Sequence, residues 1–142
     1  MAGGIDRFRV LLIEDEPANR ALVRAIVTRS EAPAVDGLEL LEAATLAAAR
    51  TMLAAGQVDL VLSDVRLPDG SGLDLVTELR ADPGPDAPTV VIVSASVLPS
   101  EQQQALRSGA DAFLAKPFSP SDLIAILERV REQRRSGDGL SP

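Results

Sequence analysis

Five short apolar runs recur along this chain, separated by stretches in which apolar residues repeat every three or four positions. Most of the runs are apolar throughout instead of alternating between apolar and polar residues. Such runs are typical of buried strands in a parallel sheet that helices cover on both faces. The predicted strands cover residues 9–13, 38–43, 58–63, 89–93 and 112–115.

The stretches between these runs predict amphipathic helices, because their apolar residues fall on one helical face. The predicted helices begin at Pro17, at Thr45, near Leu73, at a capping box of Ser100 with Gln103, and at Ser119 with Pro120 and Asp122. Gly56, residues 82–85 and Gly109 are expected to end the second, third and fourth helices. Residues 30–37 and 68–72 are predicted loops, and the polar segment from Arg131 onward is expected to fray.

The alternation of strands and helices predicts an α/β fold of the flavodoxin-like (βα)5 type. We expect a doubly wound parallel sheet with strand order 2-1-3-4-5. The 142 residues suffice for one such domain. The predicted domain covers residues 9–131, with an N-terminal extension over residues 1–8 and a polar tail or linker over residues 132–142.

The chain contains no cysteine and no histidine. It therefore lacks thiolate and imidazole metal ligands, and it lacks the residues for Ser-His-Asp or Cys-His catalysis. It also cannot carry a phosphohistidine of its own. A bound metal would be held by oxygen atoms, which favours hard cations such as Mg²⁺.

The net charge is −7, and three phenylalanines are the only aromatic residues. These features exclude a basic nucleic-acid surface and a platform for stacking bases. No apolar run approaches the roughly 18 residues of a membrane span, and residues 1–4 lack the pattern of a signal peptide. We predict a soluble, cytoplasmic domain that contacts neither nucleic acid nor membrane directly.

Polar side chains follow four of the five predicted strands. Glu14 and Asp15 end the first strand, Asp64 ends the third, Ser94 ends the fourth, and Lys116 ends the fifth. Ligands of open parallel sheets bind at the carboxyl ends of the strands, where the strand order reverses. We therefore expect these side chains to converge on one site.

Lys116 is the only lysine among 14 basic residues, and its compact ammonium group suits a phosphoryl oxygen. Neighbouring carboxylates repel one another unless a cation such as Mg²⁺ or Mn²⁺ neutralises them. Such a site suits phosphoryl transfer, in which an aspartate can form an acyl phosphate. A simpler explanation is that residues 14–16 favour a helix N-terminus, which accounts for their sign but not for Asp64 or Lys116.

The same residues lie in four motifs, which are VLLIEDEP at 10–17, DVRLPDGSG at 64–72, VSA at 93–95 and KPF at 116–118. With these motifs in this order, the chain resembles the receiver domain of two-component response regulators from about Phe8 to Arg131. The resemblance implies that Asp64 accepts a phosphoryl group and, with Asp15, binds Mg²⁺ directly. Glu14 would bind through a coordinated water, and the Arg66 carbonyl would be a further metal ligand.

The resemblance also implies roles around the phosphoryl group. Ser94 would donate its hydroxyl to one phosphoryl oxygen, and Lys116 would pair with another. Phe113 occupies the position of the family's switch aromatic, although a phenylalanine on this strand would pack in the core in any case. The bond between Lys116 and Pro117 is expected to be cis.

The implied partner is a sensor histidine kinase or a histidine phosphotransfer protein, which presents a phosphohistidine to Asp64. The domain would catalyse its own Mg²⁺-dependent phosphorylation and dephosphorylation without being a conventional enzyme. Phosphorylation would change the face formed by helix 4, strand 5 and helix 5. That face would act on a downstream protein target or a fused output domain.

Glu14 and Ser94 depart from the commoner aspartate and threonine of the family, but each keeps its functional group.

Three other functions are alternatives to phosphoacceptance. A flavin-binding domain would need a loop rich in Ser, Thr and Gly after strand 1, where the chain has acids, and an aspartyl phosphatase would need an acid where Arg66 stands. A docking module that works without phosphorylation is the remaining alternative, and failure to bind Mg²⁺ would support it.

Overall fold

A computed structural model describes residues 7–81, 84, 86–95 and 98–136. Within these residues, five parallel strands form one sheet in the order β2-β1-β3-β4-β5. The strands are β1 (Phe8–Ile13), β2 (Leu38–Ala43), β3 (Leu60–Asp64), β4 (Thr89–Ser94) and β5 (Ala112–Ala115). The predicted fold class and strand order are confirmed.

In the described residues, five helices cover the sheet, and a short 3-10 helix over Pro33–Val35 precedes β2. They are α1 (Pro17–Arg29), α2 (Leu46–Ala54), α3 (Gly72–Ala81), α4 (Pro99–Arg107) and α5 (Pro120–Ser136). Alternate residues of β1 point to opposite faces of the sheet. Val10 and Leu12 pack in a core with α1 and α5, and Leu11 and Ile13 pack in a second core with α2, α3 and α4. The inner strands β1, β3 and β4 are buried on both faces for most of their length, which explains their continuous apolar character.

The structure corrects the start of α4. Ser100 and Gln103 do not form a capping box, since the helix begins at Pro99 and its N-cap residue is Leu98. Proline suits the first helical position because its φ is already helical and the absent N–H needs no partner there. This shifts the helix start towards the N-terminus and places Ser100 inside the first turn. By contrast, Ser119 and Asp122 do cap α5 by reciprocal bonds between side chain and backbone.

The expected fraying from Arg131 is wrong for the residues described, because α5 continues to Ser136. Arg131 is 7% exposed, and its guanidinium donates hydrogen bonds to the carbonyls of Ala34 and Asp36. It also lies 4.9 Å from the ring centre of Phe8, which is itself buried as the first residue of β1. Arg131 thus fixes the 30–37 loop, and ordered structure begins before residue 9 and extends past residue 131. The division into a domain and two tails stays a prediction.

The predicted loop after β3 contains a small hairpin, formed by antiparallel pairing of Arg66–Leu67 with Gly70–Ser71. β3 also begins later than predicted, at Leu60, and includes Asp64. Some predictions concern residues that the structure does not describe. They are the predictions for residues 1–4, for the helix end at residues 82–85 apart from Gly84, and for the tail beyond residue 136. In the part of the chain that is described, no helix is long and apolar enough to cross a bilayer.

Candidate functional site

The register of the parallel strands brings the polar strand ends to one place. Ile13 at the end of β1 is level with Ser63 of β3, so Glu14 and Asp64 come next to each other at the edge. Asp64 is level with Val93 of β4, and Ser94 is level with Ala115 of β5, just before Lys116. The expected convergence of Glu14, Asp15, Asp64, Ser94 and Lys116 is therefore found in the structure.

Lys116 bridges two of the carboxylates. Its Nζ lies 2.5 Å from Glu14 Oε1 and 3.1 Å from Asp64 Oδ2. The side chain of Glu14 is 5% exposed, and those of Asp64 and Lys116 are 18% exposed. Charge-assisted hydrogen bonds in such partly dry surroundings are stronger than those in water. The peptide bond after Lys116 is cis, as expected.

The bridge changes the proton affinity of both partners. Burial alone would raise the pKa of Glu14, but hydrogen bonds from Lys116 and from the Glu16 N–H outweigh it and lower that pKa. Burial alone would lower the pKa of Lys116, but its bonds to Glu14 and Asp64 outweigh it and raise that pKa. Both groups are therefore held in their charged forms at neutral pH.

Stability is expected to depend on pH through Glu14. Because its pKa is lowered by folding, its contribution is present above its ordinary value of 4.5 and is lost as the pH falls below that value. E14Q is expected to be less stable than the wild type at about pH 7, with a difference that shrinks as the pH falls below 4.5. Urea unfolding at a series of pH values measures this, with E132Q, at an exposed position of α5, as the control. A difference that stays constant over this range would contradict the prediction.

The acidic residues can hold a cation. Glu14, Asp15 and Asp64 each offer a carboxylate oxygen, and these oxygens all lie within 4.8 Å of one another. Oxygens on opposite sides of one Mg²⁺ lie about 4.2 Å apart, since each bond is about 2.1 Å long. The observed spacing fits one hard cation after a small adjustment, or with one carboxylate binding through water. An all-oxygen donor set is also the set that Mg²⁺ prefers.

The other predicted site residues line one cleft of about 530 Å³. Asp64, Arg66 and Lys116 line it together with Ser94, which is 8% exposed, and with half-buried Phe113. The Phe113 ring packs against the core that contains α3 and α4. Phe113 thus serves in core packing and also faces the cleft beside Ser94.

Sequence reasoning missed two residues that hold the site together. Gly72 begins α3 directly against the end of β3, where a Cβ atom would lie 2.1 Å from the carbonyl oxygen of Asp64. Asp69 accepts hydrogen bonds from the N–H groups of Leu46 and Ala47 at the start of α2. Gly72 lies in the motif at residues 64–72, so the sequence did contain a signal for its role. Nothing local in the sequence connects Asp69 with the start of a helix 22 and 23 positions before it.

Comparisons with known proteins agree with this geometry. The family model described as response regulator receiver domain matches residues 10–128. The KDP operon transcriptional regulatory protein KdpE of Escherichia coli K12 is 36% identical over 127 residues, which cover 89% of this chain and 52% of KdpE. A CheY-like receiver domain protein from Methanospirillum hungatei JF-1 is 27% identical with a TM-score of 0.76, covering 93% of this chain and 100% of that one.

Another similar solved structure contains a bound metal ion. It is the receiver domain of the sensor histidine kinase PA1611 from Pseudomonas aeruginosa PAO1, with a magnesium ion coordinated in its active site cleft. It is 27% identical with a TM-score of 0.73, and the match covers 87% of this chain and 97% of that one.

The chain belongs to the response regulator receiver domain family of two-component systems. It spans about half the length of KdpE, so that match concerns the receiver domain and not the remainder of KdpE.

Proposed function

We propose that this domain accepts a phosphoryl group on Asp64 from the phosphohistidine of a sensor histidine kinase or a histidine phosphotransfer protein. The observation that carries the proposal is the Lys116 bridge between Glu14 and Asp64, beside a cluster of three carboxylates. An aspartate held next to a fixed ammonium group and a cation site has the surroundings that phosphoryl transfer requires. These 142 residues contain no histidine, so the donor phosphohistidine lies outside them.

The proposed reaction is an in-line displacement at phosphorus. A carboxylate oxygen of Asp64 forms the new P–O bond while the P–N bond to the donor imidazole breaks, and the imidazole nitrogen keeps the electron pair of that bond. Lys116 pairs with one phosphoryl oxygen, and the Ser94 hydroxyl donates a hydrogen bond to another. Water later cleaves the acyl phosphate and releases inorganic phosphate.

Mg²⁺ fits this site, and Mn²⁺ is a possible substitute. Asp15, Asp64 and the Arg66 carbonyl would hold the ion, with Glu14 acting through a water molecule. When bound, the ion supplies positive charge that offsets the negative charge of the transferred group. Before the ion binds, Lys116 neutralises part of the same acidic cluster.

The proposed output is a change in the face formed by α4, β5 and α5. Movement of Ser94 towards the phosphoryl group would free space that the Phe113 ring can enter, since both line the same cleft. A local change in charge would in this way bias a two-state element. The target is a downstream protein or a fused output domain. The cytoplasmic location is part of this proposal and is supported by the family alone.

Intact-protein mass spectrometry after incubation with acetyl phosphate and Mg²⁺ tests the proposal. We expect the wild type to gain the mass of one phosphoryl group, and we expect no gain in D64N or in the presence of EDTA. D74N, which changes an exposed aspartate in the first turn of α3, is the matched control and should be phosphorylated like the wild type. If folded wild-type protein gained no mass, the docking module without phosphorylation would become the better explanation.

A further inference from the structure

Asp69 connects the hairpin after the phosphoacceptor to the start of α2. Its Oδ1 accepts a hydrogen bond from the Leu46 N–H at 2.9 Å, and its Oδ2 accepts one from the Ala47 N–H at 3.0 Å. These N–H groups have no partner within α2, because they belong to its first turn. The two bonds lower the pKa of Asp69, and its carboxylate therefore remains ionised.

The hairpin is fixed at both of its ends. At its base, the Gly72 N–H donates to the Val65 carbonyl at 2.8 Å. At its tip, next to Asp69, Gly70 has a φ of +148°, and a Cβ atom there would lie 3.0 Å from Leu46 Cδ1. Leu46 is 1% exposed and belongs to the core. The tip is therefore held against a helix that is itself anchored in the core.

Arg66 lies between these two fixed ends, on the first short strand of the hairpin, opposite Ser71. The direction of its carbonyl depends on the hairpin, since the hairpin fixes the backbone on both sides of it. A hairpin that is fixed only at its base would leave this carbonyl with more directions to adopt. A carbonyl that can point in several directions binds a metal more weakly, because binding must also restrict the carbonyl to one direction.

We propose that Asp69 is a positioning residue that holds the Arg66 carbonyl ready for Mg²⁺ by tying the hairpin tip to α2. This inference rests on the proposed function, because the Arg66 carbonyl is a ligand only if the site binds the ion. Asp69 itself touches neither the ion nor the phosphoryl group. Its effect is carried through the backbone of residues 66–71.

The chain offers a matched control for the role of Asp69 as a helix cap. The Thr45 side chain also caps α2, since its Oγ1 accepts a hydrogen bond from the Ala48 N–H at 3.1 Å. T45A and D69A both remove side-chain caps from the same helix end. Only D69A releases the hairpin. A loss of Mg²⁺ affinity that came from weakening α2 would therefore occur in both variants.

Titration of the full chain with Mg²⁺, followed by amide resonances in ¹⁵N–¹H spectra, tests the inference. We expect D69A to weaken Mg²⁺ affinity about tenfold, as loss of a residue that orients a metal ligand does. T45A is expected to keep the wild-type affinity, and D69N, which retains one acceptor oxygen, is expected to lie between D69A and the wild type. We also expect Mg²⁺ to shift the Leu46 and Ala47 amide resonances in the wild type but not in D69A.

The outcomes separate the inference from the proposed function. Wild-type affinity in D69A, or equal losses in D69A and T45A, would overturn the role of Asp69 while leaving the metal site intact. Absence of Mg²⁺-dependent shifts in the wild type would overturn the proposed function and this inference with it. If D69A does not fold, D69N decides, and wild-type affinity in D69N would count against the inference.

Discussion

Replacing Lys116 with methionine is expected to lower the free energy of unfolding by about 3 kcal/mol at neutral pH, because it leaves a buried carboxylate without its cation. Glu14 is 5% exposed and contacts Lys116 Nζ at 2.5 Å. Methionine fills similar space without a charge, so Glu14 would face the carboxylates of Asp15 and Asp64 with no ammonium between them. Phosphorylation of Asp64 should also slow by about 100-fold, because a charged group that stabilises the transferred phosphoryl oxygens is lost.

Urea unfolding and the rate of mass gain from acetyl phosphate measure these two effects. R107M is the control, since it removes one positive charge from an exposed position on α4. K116R keeps the charge and should lie between K116M and the wild type. Mg²⁺ is expected to restore part of the stability of K116M, because a divalent cation can replace the lost charge. Equal stability of K116M and R107M would show that the bridge contributes nothing to folding.

Replacing Gly72 with alanine is expected to destabilise the fold by about 3 kcal/mol, at the upper end of the usual cost of overpacking. The added Cβ atom would lie 2.1 Å from the Asp64 carbonyl oxygen and 2.7 Å from Ser63 Oγ. The first of these neighbours is backbone at the end of a buried strand, which cannot rotate away. Helix α3 would have to move away from β3, and Asp64 would move with the strand end. We therefore expect slower phosphorylation as well as lower stability.

Gly84 provides the comparison for this substitution. Among the described residues, and apart from its own chain neighbours, no heavy atom lies within 4 Å of a Cβ atom built on Gly84. G84A is therefore expected to change the free energy of unfolding by less than about 0.5 kcal/mol, as substitutions in open space usually do. Urea unfolding of both variants measures the difference. If G72A were as stable as G84A, the contact between α3 and the end of β3 would be looser than the structure shows.

The strands and most helices were predictable because their signals are local. A strand buried on both faces is apolar at consecutive positions, and a helix on a sheet is apolar at every third or fourth position. The start of α4 was predicted wrongly because two signals competed there. The Ser100–Gln103 pattern indicates a cap, but Pro99 suits the first helical turn, and the structure follows Pro99.

The convergence of the site was also predictable, although its contacts were not. Parallel strands share one carboxyl edge, so the residues after β1, β3, β4 and β5 must lie near one another. The sequence does not show which carboxylates Lys116 contacts, since Glu14 and Asp64 are 102 and 52 positions away from it. That choice depends on the strand register and on the reach of one side chain.

The sequence by itself determined the α/β fold, the strand order that follows from its pattern, and the set of polar residues at the strand ends, because each arises from short-range periodicity and chain order. The tertiary structure alone decided the contacts that hold the site and the domain end in place. Arg131 reaches the Ala34 carbonyl from 97 positions away, and Asp69 caps the start of a helix at N–H groups 23 and 22 positions before it. Such contacts connect one side chain with the backbone of a distant segment, where every residue type supplies a carbonyl and every type except proline supplies an N–H group. No sequence pattern therefore marks the partner.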